Sequence, residues 1–187
     1  AEYGVCNREK GILHVELSAP ADGSRLGSLH GGTVRNAVAA SARAEARCTA
    51  EECEALEALS KKMDGKFSFQ WSGGVLTAEC AGRAAHAMEP QKGRNAAARL
   101  VRLFSSCFGG EALGALWSFV DQKIGLELDG SSLGLRREDA VSGPLTVNLG
   151  VAEQDNGVCR AVLDIRYAGR IIPAVPASSV KHCILGR

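Results

Sequence analysis

No apolar run in the sequence approaches the roughly 20 residues that a membrane-spanning helix needs, and the first residues, AEYGVCNREKG, lack the basic and apolar regions of a signal peptide. A soluble, cytoplasmic chain is therefore expected. Neither sign of charge dominates: 22 Lys and Arg against 21 Asp and Glu leave a formal charge of +1, and five Phe, two Trp and two Tyr make no stacking array. That composition gives no electrostatic case for nucleic acid, and no membrane partner is expected. The seven cysteines, Cys6, Cys48, Cys53, Cys80, Cys107, Cys159 and Cys183, are odd in number and scattered, without a Cys-x-x-Cys pair. Free thiols in a reducing compartment are expected rather than disulfides or a zinc site.

A complete active site is also missing. Of the four histidines, His14, His30, His86 and His182, none lies in a His-x-Asp or His-Glu-x-x-His motif, and no acidic pair stands beside one at metal-ligand spacing. The Gly-x-Ser-x-Gly elbow, the P-loop and the Gly-x-Gly-x-x-Gly fingerprint are absent as well. No metal ligand and no cofactor are assigned to this chain.

What is present is a clear alternation of short elements. The 187 residues, 45% hydrophobic, suffice for one domain with a sizeable core or for two small subdomains. GILHVEL (11–17) alternates as a strand, with His14 expected to face solvent, and NAVAASARAEARC from Asn36 has a period of two despite its helix-favouring alanines. Thr49 and Glu52 form a capping box that predicts a helix through Cys53, Leu56, Leu59 and Met63, ended by Gly65. Residues 67–71 and 75–80 read as a hairpin across Ser72-Gly73-Gly74, and 95–108 as an amphipathic helix with Ala97, Leu100, Val101, Phe104 and Phe108 on one stripe. A further helix is predicted at 111–124, an irregular stretch at 125–143, a hairpin of 145–152 with 158–167 around Asp155-Asn156-Gly157, and an extended connection or one short strand at 170–187. The fold class is α+β: antiparallel sheet with helices packed on one face, in two subdomains of about 28–108 and 109–187.

His86 lies between the strand at 75–80 and the helix at 95–108, flanked by alanines that leave its imidazole accessible. The run around it, GRAAHAMEPQKGRNAAARL, resembles the Gly-x-Ala-Ala-His-(Ala/Gly)-x-x-Pro-x-x-Gly-x-Asn-Ala segment in the lid, or dimerisation, domain of the aminoacylase-type di-zinc metallopeptidases, a family that includes bacterial dipeptidases of the PepV type. GGTVRNAV (31–38) and LTVNLGVAEQDNGVCRAVLDIRY (145–167) are similar to two further segments of that domain. The resemblance implies a ferredoxin-like lid in which His86 stabilises an oxyanion, Asn36 anchors the substrate and Arg166 clamps its carboxylate. It implies a parent enzyme that hydrolyses dipeptides or N-acyl amino acids with two zinc ions held by a separate catalytic domain, whose motifs are not found here. The chain is thus expected to be an excised lid, inactive alone, that partners the catalytic domain of its own parent and is open to self-association.

Departures from the family pattern occur at Ala39 and Ala168, where proline is common, and at Met88, where serine is common. On the residues alone, Arg166 also reads as a solvated strand arginine, Asn36 as a strand start, Asn95 as an N-cap, and Lys92, Arg94, Arg99 and Arg102 as solvated charges, with His30 incidental. A stand-alone ferredoxin-like dimerisation or amino-acid-binding module without catalysis is the alternative function.

Overall fold

A computed structural model describes residues 10–168 and the backbone of residues 183–184. In chain order the elements are β1 (Gly11–Pro20), β2 (Leu26–Gly31), β3 (Ser41–Arg47), α1 (Ala50–Ser60), β4 (Lys66–Ser72), β5 (Val75–Ala81), α2 (Ala96–Phe108), α3 (Ala115–Lys123), β6 (Glu138–Asp139), β7 (Gly143–Pro144), β8 (Thr146–Asp155), β9 (Val158–Tyr167) and β10 (Cys183–Ile184). Eight strands form one sheet in the order β10-β1-β9-β8-β2-β3-β5-β4, and β6 and β7 make a separate small ladder. Neighbours in the large sheet run antiparallel. The fold is α+β. β3, α1 and β4 form a crossover with β5 between the two strands, the split unit of a ferredoxin-like sheet, and the sheet continues across residue 109 because β2 pairs with β8.

One face of the sheet is apolar. Val15, Leu17, Leu29, Ala44, Leu76, Ala78, Val147, Leu163 and Ile165 are buried there with the inner sides of the helices. α2 supplies Ala97, Leu100, Val101 and Phe104, each at most 1% exposed; fully burying side chains of the Leu, Val or Phe type stabilises by about 1.5–3 kcal/mol apiece. α3 is fixed by Trp117, whose Nε1 donates to Gln154 Oε1 at 2.6 Å, while Gln154 Nε2 donates to the Leu26 carbonyl at 2.5 Å. A buried polar side chain is tolerated here because its donors and acceptors are used. The opposite face carries Glu16, Arg160, Glu153, His30, Arg43 and Glu79 from successive strands, with ion pairs Arg160–Glu16 and Arg43–Glu79.

Local signals hold well. Thr49 Oγ1 accepts from the Glu52 N–H at 3.2 Å and the Glu52 carboxylate accepts from the Thr49 N–H at 3.0 Å, the capping box that opens α1. α1 stops earlier than expected, at Ser60, so Met63 follows the helix. Both hairpins turn on adjacent residues with positive φ, Gly73-Gly74 (60° and 81°) and Asn156-Gly157 (49° and 77°), which matches the right-handed twist of the flanking strands. Three expectations are corrected. Residues 36–40 leave the strand, because their backbone bonds go to loops: Val38 N–H to Ala85 O, and the Ala39 and Ala40 carbonyls to the N–H groups of Ala96 and Gly82. The helix expected from 111 is interrupted by Gly114 at φ 82° and starts at Ala115. The stretch 125–143 contains a 3₁₀ turn at Ser131–Leu133 and the small ladder. The connection or short strand expected at 170–187 lies outside the described residues except for β10, which pairs with Glu16 and Leu17.

Cys48, Cys53, Cys80, Cys107 and Cys159 are free thiols, whereas Cys6 and the Cys183 side chain lie outside the described residues. Burial pushes the thiols of Cys48, Cys80 and Cys159 up to about 11. Among the described residues no helix is long and apolar enough to cross a membrane.

Glu52 has a second task. Arg25 Nη1 and Nη2 donate to its two carboxylate oxygens at 2.8 and 2.6 Å, with the Arg25 guanidinium over the Phe108 ring at 3.9 Å. The Arg25 bonds first, then the Thr49 N–H, hold the Glu52 carboxyl at about 2 against a usual value near 4.5. A depressed carboxylate contributes stability above its unfolded-state value and loses it as pH falls towards its folded-state value. The expected result is that Glu52→Gln is less stable than the parent sequence at neutral pH and that the gap closes between about pH 4.5 and 2. Denaturant unfolding at stepped pH checks this; a gap independent of pH would contradict it.

Candidate functional site

β5 ends at Ala81, and the chain then crosses to the loop that precedes β3 instead of delivering His86 directly from the strand. Gly82 N–H donates to Ala40 O at 2.7 Å, and Arg83 and Arg94 close the loop by exchanging backbone bonds at 2.9 and 2.8 Å. His86 pairs with Ala37 in an isolated bridge: Val38 N–H donates to Ala85 O at 2.9 Å and Ala87 N–H to Asn36 O at 3.0 Å. Asn36 and His86 thus lie on adjacent, mutually bonded segments, and both side chains are exposed.

The imidazole is oriented by its own loop. Met88 N–H donates to His86 Nδ1 at 3.1 Å. An Nδ1 that accepts is unprotonated, so the neutral ring carries its hydrogen on Nε2. His86 therefore presents an N–H donor on the side of the ring away from its backbone.

Both segments rest on β8. Thr146 Oγ1 donates to Ala87 O at 3.2 Å and Asn148 Nδ2 donates to Ala37 O at 2.9 Å. In the β8–β9 register Thr146 lies opposite Arg166 and Asn148 opposite Asp164. One hairpin accordingly carries Arg166 and holds the backbone beside His86 and Asn36. Close approach of the loop to β8 needs glycine: at Gly32, φ is 72° and a Cβ would stand 2.0 Å from the Gly150 carbonyl oxygen. Gly32→Ala is expected to cost at least the roughly 1–3 kcal/mol of a residue forced into an unfavourable backbone region, with the loop displaced from β8. Thermal unfolding and loss of hydrogen-exchange protection at Val38 and Ala87 would check it, and full protection at both would contradict it.

Arg166 is not the solvated strand arginine that alternation alone allows. It is 8% exposed, and its Nε and Nη2 donate to Oδ1 and Oδ2 of Asp164 at 2.5 and 2.9 Å. Asp164, fully buried, is also bonded to His14 Nε2 at 3.0 Å, so His14 is half-buried and engaged rather than facing solvent freely. This grip uses one edge of the guanidinium, and Nη1 makes no bond to any described residue. Arg166 and Asn36 line one cleft of about 1150 Å³ over the polar face, together with His14, His30, Arg35 and Arg160. His86 is not among its lining residues; it reaches the same frame through the Asn36 segment and Thr146.

Asn95 takes its expected role, whereas the charged residues around it change theirs. Asn95 is the N-cap of α2, accepting from Ala98 N–H at 3.1 Å and donating to Leu149 O at 2.7 Å. Arg94 and Arg99 are tied to Asp64, Arg102 to Asp121 and Lys92 to Glu89, so these charges are paired rather than merely solvated. Among the described residues no group of three or more His, Cys, Asp or Glu could hold a metal ion. The donor set of a zinc pair does not fit these residues. His14, Asp164, Thr146 and Asn148 were not indicated as site residues by the sequence. Alternation puts Asp164 on the same strand face as Arg166, a readable signal, but the approach of His14 depends on β1 pairing with β9 across 150 residues.

No protein-family model matches the chain. Over 176 residues it is 28% identical to the Bacillus subtilis protein named "Putative dipeptidase YtjP", covering 89% of this chain. The aligned part is 38% of that relative's length, so this chain spans well under half of it.

Proposed function

We propose that this chain is the substrate-binding lid of a zinc-dependent dipeptidase, and that the parent protein hydrolyses dipeptides or related N-acyl amino acids. The observation that carries this reading is that Arg166 lines a cleft shared with Asn36 while Asp164 holds its guanidinium through Nε and Nη2, leaving Nη1 unbonded to any described residue. A planar fork with two parallel N–H groups matches a carboxylate in charge and spacing. The substrate's terminal carboxylate docks on that fork, and Asn36 supplies polar anchoring beside it. His86 donates its Nε2–H to the carbonyl oxygen that gains negative charge when the amide bond is attacked. Such a donor contributes roughly 3–4 kcal/mol when already aimed at the developing charge.

Similarity to a protein named as a dipeptidase, over a minor part of its length, supports a parent with a further catalytic portion. The zinc ions and their ligands belong to that portion in this reading. The test compares the purified 187-residue chain with the parent protein, each given zinc and a panel of dipeptides. Turnover by the parent and none by the chain is expected. Turnover by the chain alone would refute the lid assignment.

A further inference from the structure

We infer that a second pocket, separate from the substrate cleft, binds a small oxyanion of the phosphate type. It has a volume of about 320 Å³ and lies between the loop downstream of His86 and the segment that follows α3. Arg83, Arg94 and Arg99 line it, and none of them lines the larger cleft. Arg83 and Arg94 are partners in a backbone bridge, which sends their side chains out on the same side.

Two of the three guanidinium groups, those of Arg94 and Arg99, share one carboxylate. Arg94 Nε and Nη2 each reach Asp64 at 3.0 Å, Arg99 Nη2 reaches it at 3.3 Å, and Arg99 Nε donates to the Asp64 carbonyl oxygen. The Asp64 side chain is 66% exposed, arriving from the turn after α1. The other acid of the pocket, Glu127, is engaged by the N–H and hydroxyl of Ser132 at 2.7 and 2.9 Å. Arg83 is exposed and makes no side-chain bond to a described residue. Two cations therefore share a single carboxylate, and the third cation lining the pocket, Arg83, is left over.

A tetrahedral oxyanion supplies the missing acceptor. Its oxygens can take the planar fork of Arg94, Arg99 and the unbonded Arg83 together, with more charge than a carboxylate brings. α2, 13 residues long, begins at Ala96 beside the pocket, and the positive end of its dipole adds to the field. Asp64 then acts as a built-in competitor that occupies the seat when no ligand is bound.

The experiment is thermal unfolding of the 187-residue chain in inorganic phosphate, or a small phosphomonoester such as glycerol phosphate, against chloride at matched ionic strength. Binding to the folded form raises the melting temperature saturably. Phosphate is expected to do so and chloride not. Arg83→Gln is expected to weaken phosphate roughly tenfold and Asp64→Asn to tighten it roughly tenfold, the size of one charged hydrogen bond gained or lost. Tighter binding of the ester than of phosphate assigns the natural ligand to an organic phosphate; the reverse assigns it to the free ion, and either supports the site. Equal effects of phosphate and chloride, or unchanged phosphate binding in Arg83→Gln, would overturn it. Should Asp64→Asn unfold, Arg83→Gln still decides, because that side chain bonds no described residue.

Discussion

Asp164→Ala is expected to destabilise the chain by about 3–5 kcal/mol, the usual cost of removing one partner of a buried ion pair. For a domain of this size that lowers the melting temperature by about 6–20 °C. Asp164 is completely buried and the Arg166 side chain is 9% exposed, so the arginine left behind has little access to water. His14 loses its partner as well. The pair's attraction need not be large for this to hold, because the cost lies in the stranded charge. The double variant Asp164→Ala/Arg166→Ala is therefore expected to recover much of the loss, which calorimetry would measure. A double variant as unstable as the sum of the single ones would show that packing, not charge, is at stake.

His86→Ala in the parent protein is expected to lower kcat by about 10²–10³, as for other donors to a developing oxyanion. KM should change little, because the bond strengthens only as charge forms on the substrate oxygen. Stability should also change little: the ring is exposed, and its one bond among the described residues accepts from the Met88 N–H. Steady-state kinetics beside a thermal melt checks the three statements together. An effect confined to KM would remove His86 from the oxyanion role and leave it as a surface group near the substrate.

These predictions rest on groups of unequal visibility in the sequence. Short-range chemistry was readable: the Thr49–Glu52 box, the Asn95 cap, the Asn156-Gly157 turn and the alternation of 75–81 each depend on neighbours a few residues away. The alanine-rich Ser41–Arg47 strand was readable from its polar alternation, although alanine favours helix, because pairing with β2 and β5 overrides the weak local preference. What escaped was long-range. His14 reads as a surface residue until β1 lies beside β9 and brings Asp164 opposite it. Arg166 reads as solvated until the same pairing, with Asp164 two residues before it, encloses its side chain. Arg94 and Arg99 looked like separate surface charges, and only the folded turn after α1 sets Asp64 between them.

The central claim is that this chain lends a carboxylate-binding arginine to a peptide-hydrolysing site. The most direct measurement compares kcat/KM of the parent protein for a dipeptide and for the same dipeptide with its C-terminal carboxylate converted to an amide, in the natural sequence and in Arg166→Lys. The natural sequence is expected to prefer the free carboxylate by at least roughly tenfold, the size of one charge-assisted bond, and Arg166→Lys to lose most of that preference. A preference that survives Arg166→Lys unchanged would contradict the claim.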